Sequence, residues 1–142
     1  MGNIREAKVN NLEKLLKLLY QLSPKKENTD KQKLKAILEK IVKDENYYLC
    51  VFEKDDKLLG TATLFVEKNL THKGRPKGHI ENVVVDKNHR KKGVGKKLVD
   101  HLVEKSKEKN CYKTVLTCDE KNKGFYKKSG FKPKGINMRI DF

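Results

Sequence analysis

The hydrophobic positions change period along the chain, and each change marks an element. Leucines at 12, 15, 16, 19 and 22 in "NNLEKLLKLLYQL" (10–22) follow helical spacing, with Asn10 or Asn11 as the cap and Pro24 beyond the end. A second helix is predicted over 29–44, capped by Thr29 or Asp30, with Leu34, Ile37, Leu38 and Ile41 as its buried stripe. Alternation predicts a short strand over 3–9 and a hairpin of strands over 47–54 and 58–68 joined by "DDK". A polar loop (69–77) follows, then "GHIENVVVD" (78–86), a strand whose apolar run implies that both its faces are buried. The remainder predicts a helix over 95–110 with Leu98, Leu102 and Val103 inward, and a buried strand over 111–119. A short helix over 122–131, ending at Gly130, and a last strand over 135–142 complete it. The order β-α-α-β-β-β-α-β-α-β describes one α/β domain over 1–142. Its central sheet is mixed, helices flank both faces, and one strand–helix–strand crossover runs from 78–86 to 111–119.

Composition alters this picture little. A length of 142 residues fits a single domain. No stretch approaches the roughly 18 apolar residues of a membrane helix. "MGNIREAKVNN" lacks the apolar region of a secretory signal, and Glu6 stands where a myristoylation signal takes Ser or Thr. A soluble, cytoplasmic protein with no membrane partner is expected. The formal charge of +15, from 34 basic and 19 acidic residues, suggests an anionic ligand. Only Arg5, Arg75, Arg90 and Arg139 are arginines, however, and the lysines are spread through every segment. Readers of nucleic-acid bases favour arginine for its two-pronged donor, so a lysine-rich nucleic-acid-binding module rests on charge alone, and no nucleic-acid partner is expected. The cysteines, Cys50, Cys111 and Cys118, are odd in number and lack CxxC spacing. They are read as small buried hydrophobes, and no metal site is expected.

The candidate chemistry lies at "RKKGVG" (90–95), between the apolar run ending at Val85 and the helix beginning near Gly95. Free N–H groups at a helix start, with the positive end of the helix dipole behind them, form an anion site. Gly93 and Gly95 let a bulky anion approach the backbone. The phosphate loop GxxxxGK[ST] is excluded, because Arg90 stands at its first glycine and Lys97 replaces its Ser or Thr. GxGxxG is excluded by Leu98 at its third glycine. The acyl-CoA pattern [QR]xxGx[GA] is met at every fixed position.

With that loop the sequence resembles the GNAT superfamily of acyl-CoA-dependent N-acetyltransferases. Within it, the likeness is greatest to the eukaryotic-type glucosamine-6-phosphate N-acetyltransferases. That family pairs a "GHIED" strand with the glycine loop, a "CYK" strand start and an "NVxFYxKxGF" segment; this chain has "GHIEN", "RKKGVG", "NCYK" and "NKGFYKKSGF". The resemblance implies acetyl transfer from acetyl-CoA to the amine of D-glucosamine 6-phosphate, a step towards UDP-N-acetylglucosamine, by direct transfer in a ternary complex. It places the pantetheine arm along Val83, Val84 and Val85. The pyrophosphate falls on Arg90, Lys91, Lys92, Gly93, Val94, Gly95 and Lys96, and further CoA contacts on Asn122 and Tyr126. Tyr126 is implied as the acid for the departing thiolate, and Glu81 as a group near the reacting amine that accepts its proton through water or orients the substrate. Acceptor contacts fall on Ser23, Asn69, His72, Glu81, Asn82, Thr117 and Asp119. Three positions depart from the family: Asn82 replaces Asp, Thr117 replaces an acidic residue and Asp141 replaces a basic one, with Asp119 on the same side of the strand as Thr117. A rival within the superfamily is transfer to another amine. The family also implies a homodimer with its C-terminal strands at the interface.

Overall fold

The computed structural model describes residues 1–23 and 29–142, so Pro24 lies outside the described residues. Strand β1 (Asn3–Glu6) is followed by helices α1 (Leu12–Leu22) and α2 (Lys31–Lys43). Strands β2 (Tyr47–Lys54), β3 (Lys57–Glu67) and β4 (Lys77–Val85) come next, then helix α3 (Val94–Glu108), strand β5 (Lys113–Val115) and the single-turn helix α4 (Lys123–Lys127). The sheet order is β1-β2-β3-β4-β5; every pair is antiparallel except β4–β5, which is parallel and joined through α3.

Local chemistry accounts for the helix and hairpin ends. The Asp30 carboxylate accepts from the N–H groups of Gln32 and Lys33 at 3.0 and 3.3 Å and so caps α2. Asn11 turns the other way: its Oδ1 accepts from the Lys8 N–H at 2.8 Å and from Arg5, bracing the entry to α1. Asp55 and Asp56 both take positive φ, 52° and 61°, as the two-residue turn between β2 and β3 requires.

Two cores form, one on each face of the sheet. Leu15, Leu18 and Leu38 of α1 and α2 pack with Val51, Leu58 and Val84 on one face. Val94, Leu98, Val99 and Leu102 of α3 pack with Leu59, Leu64, Val66 and Ile80 on the other. Burying a leucine such as Leu98 or Leu102 completely contributes about 1.5–3 kcal/mol. Within the expected α2 stripe, Ile37 lies exposed.

Strand β4 is not buried on both faces. Glu81 and Asn82 are exposed, and the β3–β4 register slips between Thr61↔Val84 and Thr63↔Glu81. Asn82 is the spare residue, with φ 52°, a conformation asparagine tolerates better than most side chains. The slip changes the facing: Ile80 before it, and Val83 and Val85 after it, all reach the α3 core, while Val84 turns to the other.

The 111–119 run is not a buried strand. Only Lys113–Val115 pair with β4, at Lys77–His79, and Thr117, Cys118 and Asp119 are exposed. Beyond His79, β4 therefore keeps β3 on one side and loses β5 on the other, opening a wedge in the sheet. Cys50 is buried, Cys111 half-buried and Cys118 exposed, so the reading of all three as buried hydrophobes fails at Cys118. The strand expected over 135–142 joins no sheet among the described residues of the single chain. Its apolar residues alternate, and Ile136, Met138, Ile140 and Phe142 are each at least 81% exposed.

Candidate active site

The wedge and the start of α3 meet at the glycine loop. The α3 N-cap is Gly93, with φ 84°, and no described side chain caps the helix. The first intrahelical bond is Lys97 N–H to the Gly93 carbonyl, at 3.1 Å. The N–H groups of Val94, Gly95 and Lys96 accordingly have no helical acceptor. Lys91 is also left-handed, at φ 63°. Open space surrounds the position a Gly93 side chain would take, so the backbone there can receive a bulky anion.

Gly95 has a different reason for lacking a side chain. An added Cβ would lie 3.0 and 3.1 Å from ring carbons of Phe125 and 3.4 Å from Val85. The second glycine thus lets α4 and the end of β4 close against the first turn of α3. The basic side chains are partly engaged elsewhere. Arg90 donates from Nε to the Val85 carbonyl at 3.2 Å, and Lys96 pairs with Asp100 at 2.6 Å; Lys91 and Lys92 are exposed.

Phe125 carries Tyr126 with it. The two rings meet edge to face at 4.9 Å, and Tyr126 meets Phe131 the same way at 6.2 Å. The end of α4 fixes this aromatic group. Gly130 sits at φ 93°, its N–H donates to the Lys127 carbonyl, and the Phe131 N–H reaches the Tyr126 carbonyl at 3.3 Å. This is the glycine-terminated closure expected from the sequence. Burial, with the nearby Cys118 thiol as a second cause, raises the Tyr126 phenol above its ordinary 10.0. Asn122, one turn before Tyr126, is exposed at the α4 N-terminus.

The expected acceptor residues fall on separate elements, each in its own setting. Glu81 and Asn82 project from β4 where β5 has left it. Because Glu81 is exposed, the burial cost expected of an acid within an apolar strand does not arise. Thr117 and Asp119 lie on the departing β5 segment, with Thr117 Oγ1 at 3.4 Å from Asn137 Oδ1. Ser23 is the exposed C-cap of α1. In the 69–76 loop, Asn69 donates to Thr71 Oγ1 at 2.8 Å, and that hydroxyl lies 2.9 Å from His72 Nδ1. His72 stacks on Tyr112 at 3.8 Å and 9°.

Sequence reasoning missed Phe125, Tyr112, and the pair Gln21 and Asp86. Phe125 adjoins Tyr126 inside the same motif and was within reach of it. The others act across 65 positions in one case and 40 in the other, where no local pattern signals contact. Among the described residues, no cluster of three or more His, Cys, Asp or Glu is placed to hold a metal ion, and no helix is long and apolar enough to cross a membrane.

Known proteins resemble this chain in sequence and in fold. The chain is 34% identical over 138 residues to the glucosamine 6-phosphate N-acetyltransferase of Arabidopsis thaliana, covering 95% of this chain and 93% of that one. It is 44% identical over 85 residues to the enzyme of the same name from Trypanosoma brucei brucei, a match spanning 60% of this chain and 58% of the trypanosomal protein's length. The crystal structure of the Arabidopsis enzyme superposes with a TM-score of 0.92 at 32% identity, over 100% of this chain and 99% of that one. The acetyltransferase (GNAT) family model matches residues 12–131. With the fold, the wedge between β4 and β5 and the glycine loop, that match establishes that the chain belongs to the acetyltransferase (GNAT) family.

Proposed function

We propose that the chain transfers the acetyl group of acetyl-CoA to the amine of D-glucosamine 6-phosphate, releasing N-acetyl-D-glucosamine 6-phosphate and CoA. The observation that carries this reading is the near end-to-end likeness to the Arabidopsis enzyme. The loop supports the cofactor half: the open Gly93, the uncapped α3 amides and the free edge of β4 suit a pyrophosphate with an extended amide-bearing arm. The thioester supplies the activated acyl group, and the protein does the rest. The edge of β4 at Val83–Val85 holds the arm, and a backbone N–H of this segment meets the oxyanion. Lys91–Lys96 hold the phosphates through their amides, with Arg90 bracing the loop and Asn122 at its far side. Glu81 takes the amine proton through water, and Asp119 supplies the negative charge that Thr117 lacks. Ser23, Asn69, His72 and Asn82 contact the sugar phosphate. Tyr126 protonates the departing thiolate. Holding both substrates together removes the entropy of their encounter from the chemical step.

The test is steady-state release of CoA with glucosamine 6-phosphate, unphosphorylated glucosamine and a polyamine. Turnover with the sugar phosphate is expected, with at least about 100-fold weaker kcat/KM for the other two, since removing a charge-assisted hydrogen bond at each of two points costs about 3 kcal/mol or more. Turnover of another amine without turnover of glucosamine 6-phosphate overturns the acceptor assignment.

The same reading includes a homodimer. The alternating residues Ile136, Met138, Ile140 and Phe142, left exposed in the single chain, supply an apolar strand face for a second copy. Ile140→Asp with Phe142→Asp is expected to convert a sedimenting dimer to the 16.5 kDa monomer. A wild-type chain that sediments as a monomer at all concentrations up to about 100 µM, above the affinity of a standard interface, removes the dimer.

A further inference from the structure

A side-chain junction outside the site ties the first helix to the loop that follows β4. Gln21 lies in the last turn of α1 and Asp86 directly after β4. The Gln21 amide is engaged at both ends. Its Nε2 donates to Asp86 Oδ1 at 2.9 Å, and its Oε1 accepts from the Lys87 N–H at 2.9 Å. The other carboxylate oxygen of Asp86 accepts from the Asn88 N–H at 3.3 Å and lies 2.7 Å from His89 Nδ1. The Asp86 N–H continues the sheet by donating to the Leu59 carbonyl at 2.8 Å. One carboxylate and one amide thus fix residues 86 to 89 against both the sheet and α1. The Gln21 amide and the His89 ring hold the Asp86 carboxyl below its ordinary range, as a fully used acceptor should be.

What this junction holds is the stem of the glycine loop. From Asp86 the chain has only seven further residues before α3 starts at Val94. Within them Lys91 and Gly93 both adopt left-handed backbone. A loop with two such residues has many competing conformations, and its amides converge on one point only when the stem is fixed. Preorganising a binding loop improves affinity without adding any contact to the ligand.

We propose that Gln21 and Asp86 are positioning residues that pre-order the acyl-CoA loop by clamping its stem to α1. This rests on the reading that the loop binds acyl-CoA and does not depend on which amine is acetylated. Neither residue belongs to the glycine loop itself: Gln21 lies in α1 and Asp86 directly after β4. The clamp also makes α1, whose end carries Ser23, and the phosphate loop a single rigid unit.

The experiment measures CoA binding by calorimetry with no acceptor present, so the identity of the amine does not enter. Gln21→Met keeps the side-chain length and removes both hydrogen bonds. Gln21→Glu sets two carboxylates against each other. Asp86→Asn removes the charge and misplaces one donor. Each is expected to weaken CoA binding about tenfold, with kcat at saturating acetyl-CoA within about threefold of wild type. The double variant Gln21→Glu/Asp86→Asn exchanges the partners. The amide now at position 86 donates to the carboxylate now at position 21, and that carboxylate still accepts from the Lys87 N–H. The double variant is expected to bind CoA within about threefold of wild type, a rescue that simple loss of helix packing does not produce. Single variants that bind CoA like wild type, or a double variant as weak as the two singles combined, overturn the clamp. A wild-type chain that fails to bind CoA overturns both the clamp and the cofactor assignment beneath it.

Discussion

Replacing Tyr126 by phenylalanine is expected to lower kcat about 10²- to 10⁴-fold, the usual contribution of a positioned general acid. CoA affinity is expected to stay within about twofold of wild type, because the ring and its edge-to-face contacts with Phe125 and Phe131 survive the change. The pH dependence sharpens the test. Burial raises the phenol above 10.0, so its proton stays in place as pH rises through the neutral range and beyond. Tyr126 therefore adds no alkaline limb to the wild-type profile between about pH 6 and 9, and the deficit of the variant should be the same factor across that range. Initial rates at saturating substrates across that range provide the check. A variant within twofold of wild type, or a deficit that disappears on the alkaline side, removes the acid role from Tyr126.

The second large effect is expected at Gly95. Valine there places a Cβ 3.0 Å from the Phe125 ring and adds two methyl groups beyond it. Overpacking of this kind costs about 1–3 kcal/mol. That corresponds to roughly a 5- to 150-fold loss in kcat/KM for acetyl-CoA if the loop and α4 absorb the displacement. Because Phe125 carries Tyr126, kcat should fall together with affinity. Gly95→Ala should fall between the two, since Phe125 can yield a few tenths of an ångström. Adding Phe125→Leu to Gly95→Val should recover part of the loss by making room. A Gly95→Val variant with wild-type kcat/KM, or no relief from the second change, shows that this contact does not set the site's geometry.

These two positions also show what the sequence could tell. "RKKGVG" announced the loop, because its spacing excludes the common nucleotide loops and fits the acyl-CoA pattern. It did not announce that its two glycines serve different ends. Gly93 leaves room for a ligand and Gly95 leaves room for Phe125, which lies 30 positions away in sequence and in contact in space. The helices α1 and α2, the hairpin turn at Asp55–Asp56 and the closure at Gly130 were legible because each depends on residues within a turn or two of one another. The break in β4 was not. The valines of "HIENVVV" read as a strand buried on both faces because the spare residue at Asn82 shifts the alternation by one, and only the β3 register exposes the shift. The length of β5 and the state of residues 135–142 were illegible for a related reason. Both runs have strand-like composition, and whether such a run pairs depends on what lies beside it, which the chain's own pattern does not record.

The wedge has a consequence beyond catalysis. It makes an edge in the interior of a sheet. Beyond His79, β4 presents peptide groups that pair with no strand on one side among the described residues, and unpaired edges invite pairing with strands of other chains. An edge proposed to receive the acyl-CoA arm must stay open without recruiting a stray strand. The residues at its mouth are suited to this. Asn82 kinks the edge with a bulge, and the Glu81 carboxylate stands exposed beside it, two of the devices by which natural sheets keep their edges from aggregating. In this light the irregular middle of β4 also disfavours strand addition at the slot where the acyl-CoA arm is proposed to lie.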